Sequence, residues 1–356
     1  MGTNFQKKKK EKNNEKIKNE KISITKKPHI EFIKDVIKDS YCKYWSDNTF
    51  SLFKSINNIF YIVYTNRYKS IISMNLIDNK KINEIKHAHD DFITHLRHYF
   101  DKINNRDLLL SLSEDDNNLK LWDINNIECL LNIKRVNNKG FLNSACYLYD
   151  NKRSVIITSN NDIYNKDCEF IKIFDLNGKI IKEIEDSNQS TFFIDTFYDK
   201  KMSKFYILTG NKGLSQSFDY NDNKKYFTYC EDNDEINYHM SILIDDSDKI
   251  IKMIESSCKG FIRIWDFHTA NLLNKISVDE NWLYSIYLWN KEFLFVACKD
   301  CTIKVILLNK SKIIMSLEGH KNKVLTIKHI IHPKYGECLI SQDSDFSIIK
   351  LWKISK

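Results

Sequence analysis

Asn118-Leu119-Lys120-Leu121-Trp122-Asp123 returns as Phe261-Ile262-Arg263-Ile264-Trp265-Asp266 and again as Ile348-Ile349-Lys350-Leu351-Trp352, with a looser copy at Phe170-Ile171-Lys172-Ile173-Phe174-Asp175. Each copy alternates in character and ends in an aromatic residue, as a short strand with one well-buried face does. Working outward from these, related stretches fall at residues 71–77, 214–219 and 303–307. Trp122, Phe174, Phe218, Trp265, Ile306 and Trp352 then mark successive copies, separated by 41 to 52 residues. Turn-forming Asn, Asp and Lys recur about every 8–12 residues between them, the spacing of an all-β chain.

A period of roughly 40–45 residues with a Trp-Asp ending is the mark of a β-propeller blade. Seven such stretches predict seven blades. The longest step, Trp122 to Phe174, is accounted for by a long turn over residues 160–169. The sequence ends four residues after Trp352, which leaves the seventh blade short of its outer strand. Ile30-Glu31-Phe32-Ile33-Lys34-Asp35-Val36 is a strand without a blade of its own, and it is expected to complete the last one and close the ring. The reading is an all-β, seven-bladed propeller over residues 29–356, preceded by a disordered Lys-rich tail over residues 1–28.

Composition agrees with one large all-β unit. Of the 356 residues, 42% are hydrophobic, enough for a packed core. No run of eighteen apolar residues is present to span a membrane, and the N-terminus has no apolar h-region. The nine cysteines follow no framework and read as reduced, mostly buried thiols. The chain is therefore read as cytoplasmic, with the nucleus left open. Net charge is +8, but residues 1–27 hold ten lysines against three glutamates, so the folded body is close to neutral.

The repeats resemble those of the WD-repeat (WD40) β-propellers over residues 29–356. The fullest copy is the last: Gly319-His320, Val324 and Ile327 in strand spacing, His332-Pro333-Lys334-Tyr335-Gly336, Leu339-Ile340-Ser341, then Ile349-Lys350-Leu351-Trp352. In that family a His, a turn Asp and the Trp of one blade form a buried hydrogen-bonded network. The resemblance assigns these roles to His89, Asp116 and Trp122, and to His320, Asp345 and Trp352. Blade 6 keeps Asp300 but has Ile306 in place of Trp, and Lys212 and Lys259 stand where two other blades would carry the Asp.

Chemical motifs are few. Cys298-Lys299-Asp300-Cys301 is a C-x-x-C, but it lies on a hairpin turn with no second pair at ligand spacing. His87, His89, His95 and His98, with Asp90 and Asp91, have the right donors for a metal, yet strand alternation separates their rings. No nucleophile elbow, P-loop, dinucleotide fingerprint or EF-hand loop occurs, so no enzyme activity, metal or cofactor is expected. A Phe-Arg-Arg-Gly signature of phosphoinositide-binding propellers is missing, since none of the six arginines is adjacent to another. Trp122-Asp123 and Trp265-Asp266 also lack the following Arg of ubiquitin-ligase receptors.

What remains is a binding surface. The resemblance implies docking of protein partners on the top face of the ring, built from blade-to-blade connections and inner hairpin turns. One side of it is acidic, with Glu231, Asp232, Asp234, Glu235, Asp279 and Glu280; the opposite arc carries Arg67, Lys69, Arg135, Lys139, Lys321 and Lys323. Such polarity would steer a charged partner. Trp282, just ahead of an inner strand, is the expected rim hot spot. The function read from this is a non-catalytic scaffold or adaptor in a multi-subunit protein complex, monomeric in isolation. The first alternative is an RNA-associated factor of ribosome biogenesis or RNA processing, using lysines of residues 7–27. The second is a peripheral membrane scaffold anchored through Gly2 and Lys7–Lys10, against which Gln6 stands where acylation favours Ser or Thr.

Overall fold

The computed structural model describes residues 27–38, 40, 49–113, 116–134, 136, 141–161, 170–185, 191–211, 213–222, 224–231, 237–245, 250–344 and 348–355. Residues 1–26 of the segment read as a tail, Asp345, and residues 162–169 of the expected long turn lie outside them, and residues 160–161 of that turn belong to a strand.

Seven four-stranded antiparallel sheets follow one another along the chain. Blades 1 to 6 occupy residues 50–85, 93–133, 141–185, 191–229, 237–277 and 283–317, each with its strands in sequence order from the inside out. Blade 7 takes three strands from residues 324–355 and its outer strand from His29–Ile37. That closing strand pairs antiparallel with Ile349–Ser355, with His29 opposite Ser355 and Ile37 opposite Ile349. The sequence therefore placed both the blade count and the closure, one residue short at each end of the closing strand.

The backbone repeats more faithfully than the side chains. In the third strand the register slips at the position of the marker aromatic in six blades, at Met74, Trp122, Phe174, Phe218, Trp265 and Ile306. A second slip recurs near the start of the inner strand, between Ile93 and His95 or between Val324 and Thr326. Such bulges add local twist, which a sheet needs to pack against its neighbours around an axis. The core is divided accordingly into seven layers, each between adjacent blades. Trp122 of blade 2, for example, packs on Phe53 and Tyr61 of blade 1.

Near the axis the inner strands are tied by serines. Ser51 accepts the backbone N–H of His98, Ser144 that of Ile194 and Ser285 that of Ile327, each from the next blade. Arg97 of blade 2 reaches Asp195 of blade 4 at 2.6 Å. Antiparallel order fixes two ends of the ring. Turns between second and third strands, and the connections between blades, emerge at the top face. First-to-second and third-to-fourth turns emerge at the bottom.

Candidate functional site

The top-face connections are anchored by buried polar chains. In blade 2 the Trp122 indole N–H donates to Ser111 Oγ at 2.8 Å, Ser111 meets His89 Nε2 at 2.8 Å, and His89 Nδ1 meets Asp116 Oδ2 at 3.1 Å. An Asp carboxylate accepts only, so Nδ1 carries the proton, and the serine hydroxyl, already accepting from the indole, donates to Nε2. Burial would raise the Asp116 carboxyl, but His89 and the N–H groups of Asn118 and Asp90 hold it below the usual range. The connection before the inner strand of blade 2 is thereby fastened to a turn of the same blade.

Blade 7 repeats the chain with one correction. Trp352 donates to Ser341 at 2.8 Å, Ser341 meets His320 Nε2 at 2.7 Å, and His320 Nδ1 meets Asp343 Oδ2 at 3.1 Å. The carboxylate is that of Asp343, where Asp345 was expected. Asp343 ends the second strand two residues beyond Ser341, and period-two alternation puts both side chains on one face. Ser111 and Ser341 were not singled out from the sequence, although Leu-x-Ser recurs at 109–111 and 339–341.

Blade 5 departs further. Glu255 lies opposite Arg263, as Ser111 lies opposite Lys120. Burial pushes its carboxyl up to about 7, while the Ser215 hydroxyl pulls it back by hydrogen bonding. Arg263, itself buried, lies 3.7 Å from Glu255 and 2.8 Å from Glu231.

A second set of anchors was also missed. In blades 2, 3 and 6 the lysine two residues before the marker position reaches back to the preceding connection. Lys120 donates to Ala88 O, Lys172 to Val136 O and Lys304 to Val278 O. The N–H groups of the same three residues donate to Lys69, Asn117 and Gly260 of the previous blade. Each tie therefore joins two blades through the backbone of one residue. Gly260 has φ +79, and a Cβ there would sit 2.0 Å from the Asp279 carbonyl oxygen, so only glycine allows this approach. The signal was present in Lys120 and Lys172 of the quoted repeats, whereas Lys350 pairs instead with Asp35 and Arg263 with Glu231.

The expected partner-binding residues that are described belong to top-face segments. Arg67 and Lys69 lie in the second-to-third turn of blade 1. The Lys69 ammonium donates to Asp90 O, is 3.9 Å from Asp91 and sits 5.7 Å over the Phe92 ring. Lys321 is exposed in the connection into blade 7, and Lys323 lies 6.0 Å over Tyr284. Arg135 and Lys139 fall outside the described residues, as do Asp232, Asp234 and Glu235.

The acidic arc is less acidic than its sequence. Glu231 sits 2.8 Å from Arg263 and 2.9 Å from Lys275, which hold its carboxyl below the usual range. Asp279 would be raised by burial, but Lys304 beside it brings it down. Of its described members, Glu231 and Glu280 are exposed. Trp282 is half-buried: its ring lies edge-on to Tyr284 at 6.3 Å, and the Lys299 ammonium stands 5.5 Å over it.

The metal-like groups are engaged separately. His89 serves the blade 2 chain, while His98 binds Asp107 at 2.8 Å and stacks on Phe53 at 3.7 Å. His95 is fully buried, and its imidazole is held well below its usual range by burial and then by Arg97 and Lys328. Cys298 is buried, which pushes its thiol up to about 12. Asp279, Cys298 and Asp300 place ligand atoms within 4.8 Å of one another, but Lys304 Nζ lies against both carboxylates.

No protein-family model matches the chain. Over 84 residues, 24% of its length, it is 27% identical to the U3 small nucleolar RNA-associated protein 21 homolog of Schizosaccharomyces pombe (strain 972 / ATCC 24843). The aligned stretch spans 9% of that protein.

Proposed function

We propose that this chain is a WD-repeat propeller that works as a non-catalytic scaffold, binding protein partners at its top face within an RNA-associated complex. The observation that carries the reading is the anchoring of the top-face connections. His–Ser–Trp chains and Lys–carbonyl ties hold them from below, and a ring closed by its own first strand holds the blades. Loops fixed in this way present side chains at constant positions, which lowers the ordering cost of binding. Propellers as a fold serve unrelated pathways, so the RNA association leans on the partial similarity to a protein named for a small nucleolar RNA. That similarity favours the nucleus over the cytoplasm.

Affinity purification with mass spectrometry, using the full chain and a Trp282→Ala, Glu280→Lys, Lys321→Glu variant, tests the scaffold reading. The full chain is expected to recover a reproducible set of proteins that the variant loses while its circular dichroism remains that of the folded all-β chain. Equal recovery by both forms would contradict a top-face site.

A further inference from the structure

The carboxylates of the bottom face are used inside their own turns. Asp150, Asp175, Asp199 and Asp219 end or follow strands of blades 3 and 4, and the Oδ1 of each accepts two backbone N–H groups of the next turn. These bonds draw the acids toward the backbone and leave the residues that follow to face water. In these two blades each of the four turns contributes at least one lysine. Lys152, Lys179, Lys200, Lys201, Lys224 and Lys225 are all exposed, and none makes an ion pair among the described residues.

The turns lie against each other. The Tyr220 hydroxyl of blade 4 donates to Asp150 of blade 3 at 2.9 Å, and Lys182 of blade 3 donates to Tyr220 O. Burial, and then the neighbouring Arg153 charge, hold the Lys182 ammonium below its usual range. The exposed carboxylate nearby, Asp222, is 3.7 Å from Lys204. Among the lysines stand Tyr198, 38% exposed with its ring 4.5 Å from that of Phe205, and Met202, 48% exposed.

We propose that the bottom face of blades 3 and 4 binds single-stranded RNA, with the lysines on phosphates and the Tyr198 ring against a base. Unpaired cations on a rigid face, with an aromatic plane between them, are what a phosphate chain with splayed bases requires. The apolar groups are single side chains between charges, which suits base contacts better than insertion into lipid. This deepens the RNA-associated part of the function above and places RNA opposite the protein partners. It also moves the contact away from the N-terminal lysines.

The test is fluorescence anisotropy of a labelled 20-nucleotide uridine-rich RNA with the full chain. Six phosphate contacts predict a slope of about −4 in log affinity against log salt. Lys179→Glu, Lys200→Glu and Lys201→Glu together are expected to weaken binding at least tenfold at 50 mM salt, and Tyr198→Ala about tenfold. Because these lysines hold nothing in place, circular dichroism should be unchanged, and the corresponding Gln variants give an intermediate loss. Four results would overturn the proposal: no RNA binding by the full chain; undiminished binding by the charge-reversed form; loss only when Lys7–Lys10 are changed to Gln; or binding of phosphatidylserine vesicles without RNA. Partner recovery by the charge-reversed form reports separately on the top face, so failure of one reading is distinguishable from failure of the other.

Discussion

One hydroxyl, that of Ser111, stands between an indole N–H and an imidazole nitrogen in a site closed to water. Ser111→Ala leaves both without a partner, and a buried unsatisfied group costs roughly 1–3 kcal/mol. Urea denaturation should show a loss of that size, with Ser111→Thr closer to the parent. Glu255 gives a different signature. Its folded carboxyl titrates at about 7 against an ordinary value of 4.5, so the folded state prefers the protonated form. Below the ordinary value the group costs nothing. As pH rises from there through 7 the carboxylate must form in a buried site, and stability falls, by roughly 3 kcal/mol in all. Glu255→Gln should remove that part of the fall. Thermal midpoints at pH 5 and pH 8 check it: a difference between the two pH values that is equal in both proteins would contradict the assignment.

The closing strand is the element on which the ring depends. Residues 29–37 cover the edge of Ile349–Ser355, place Phe32 edge-on to Trp352 at 5.4 Å, and bring Asp35 to Lys350 at 2.7 Å. Removing residues 1–26 should leave the thermal midpoint unchanged, whereas removing residues 1–38 should lower it by many degrees and expose an edge that promotes association. Light scattering and calorimetry on the two truncations distinguish the cases. Elements of this kind were legible in the sequence because hydrophobic alternation and repeat spacing report burial directly. Even blade 4, where Phe218 replaces Trp, was placed by spacing alone. The site was less legible. Ser111 and Ser341 look like any strand serine, and their role comes from pairing with a residue eleven positions away. The neutralisation of Glu231 by Arg263 and Lys275 joins strands separated by a turn or more, which a count of charges along the chain cannot see. Asp343 holds the place the family pattern assigned to Asp345, because the second strand runs on to Asp343 and carries that carboxylate to His320.

At the scale of the whole molecule, the antiparallel blade order sorts the connections into two faces of different chemistry. The top holds connections fastened by buried polar chains, with acids partly neutralised by Arg263, Lys275 and Lys304. The bottom, at blades 3 and 4, holds Asp-capped turns with lysines left facing water. A ring with this arrangement suits a role in assembly, joining partners of unlike charge without moving. Amine-reactive cross-linking of the chain purified with its partners, read by mass spectrometry, tests this most directly, because lysines report from both faces. The account predicts that protein partners are joined to Lys69, Lys321 and Lys323 and spare Lys179, Lys200 and Lys201. Protein cross-links concentrated on the second set, with the first left unmodified by partners, would contradict it.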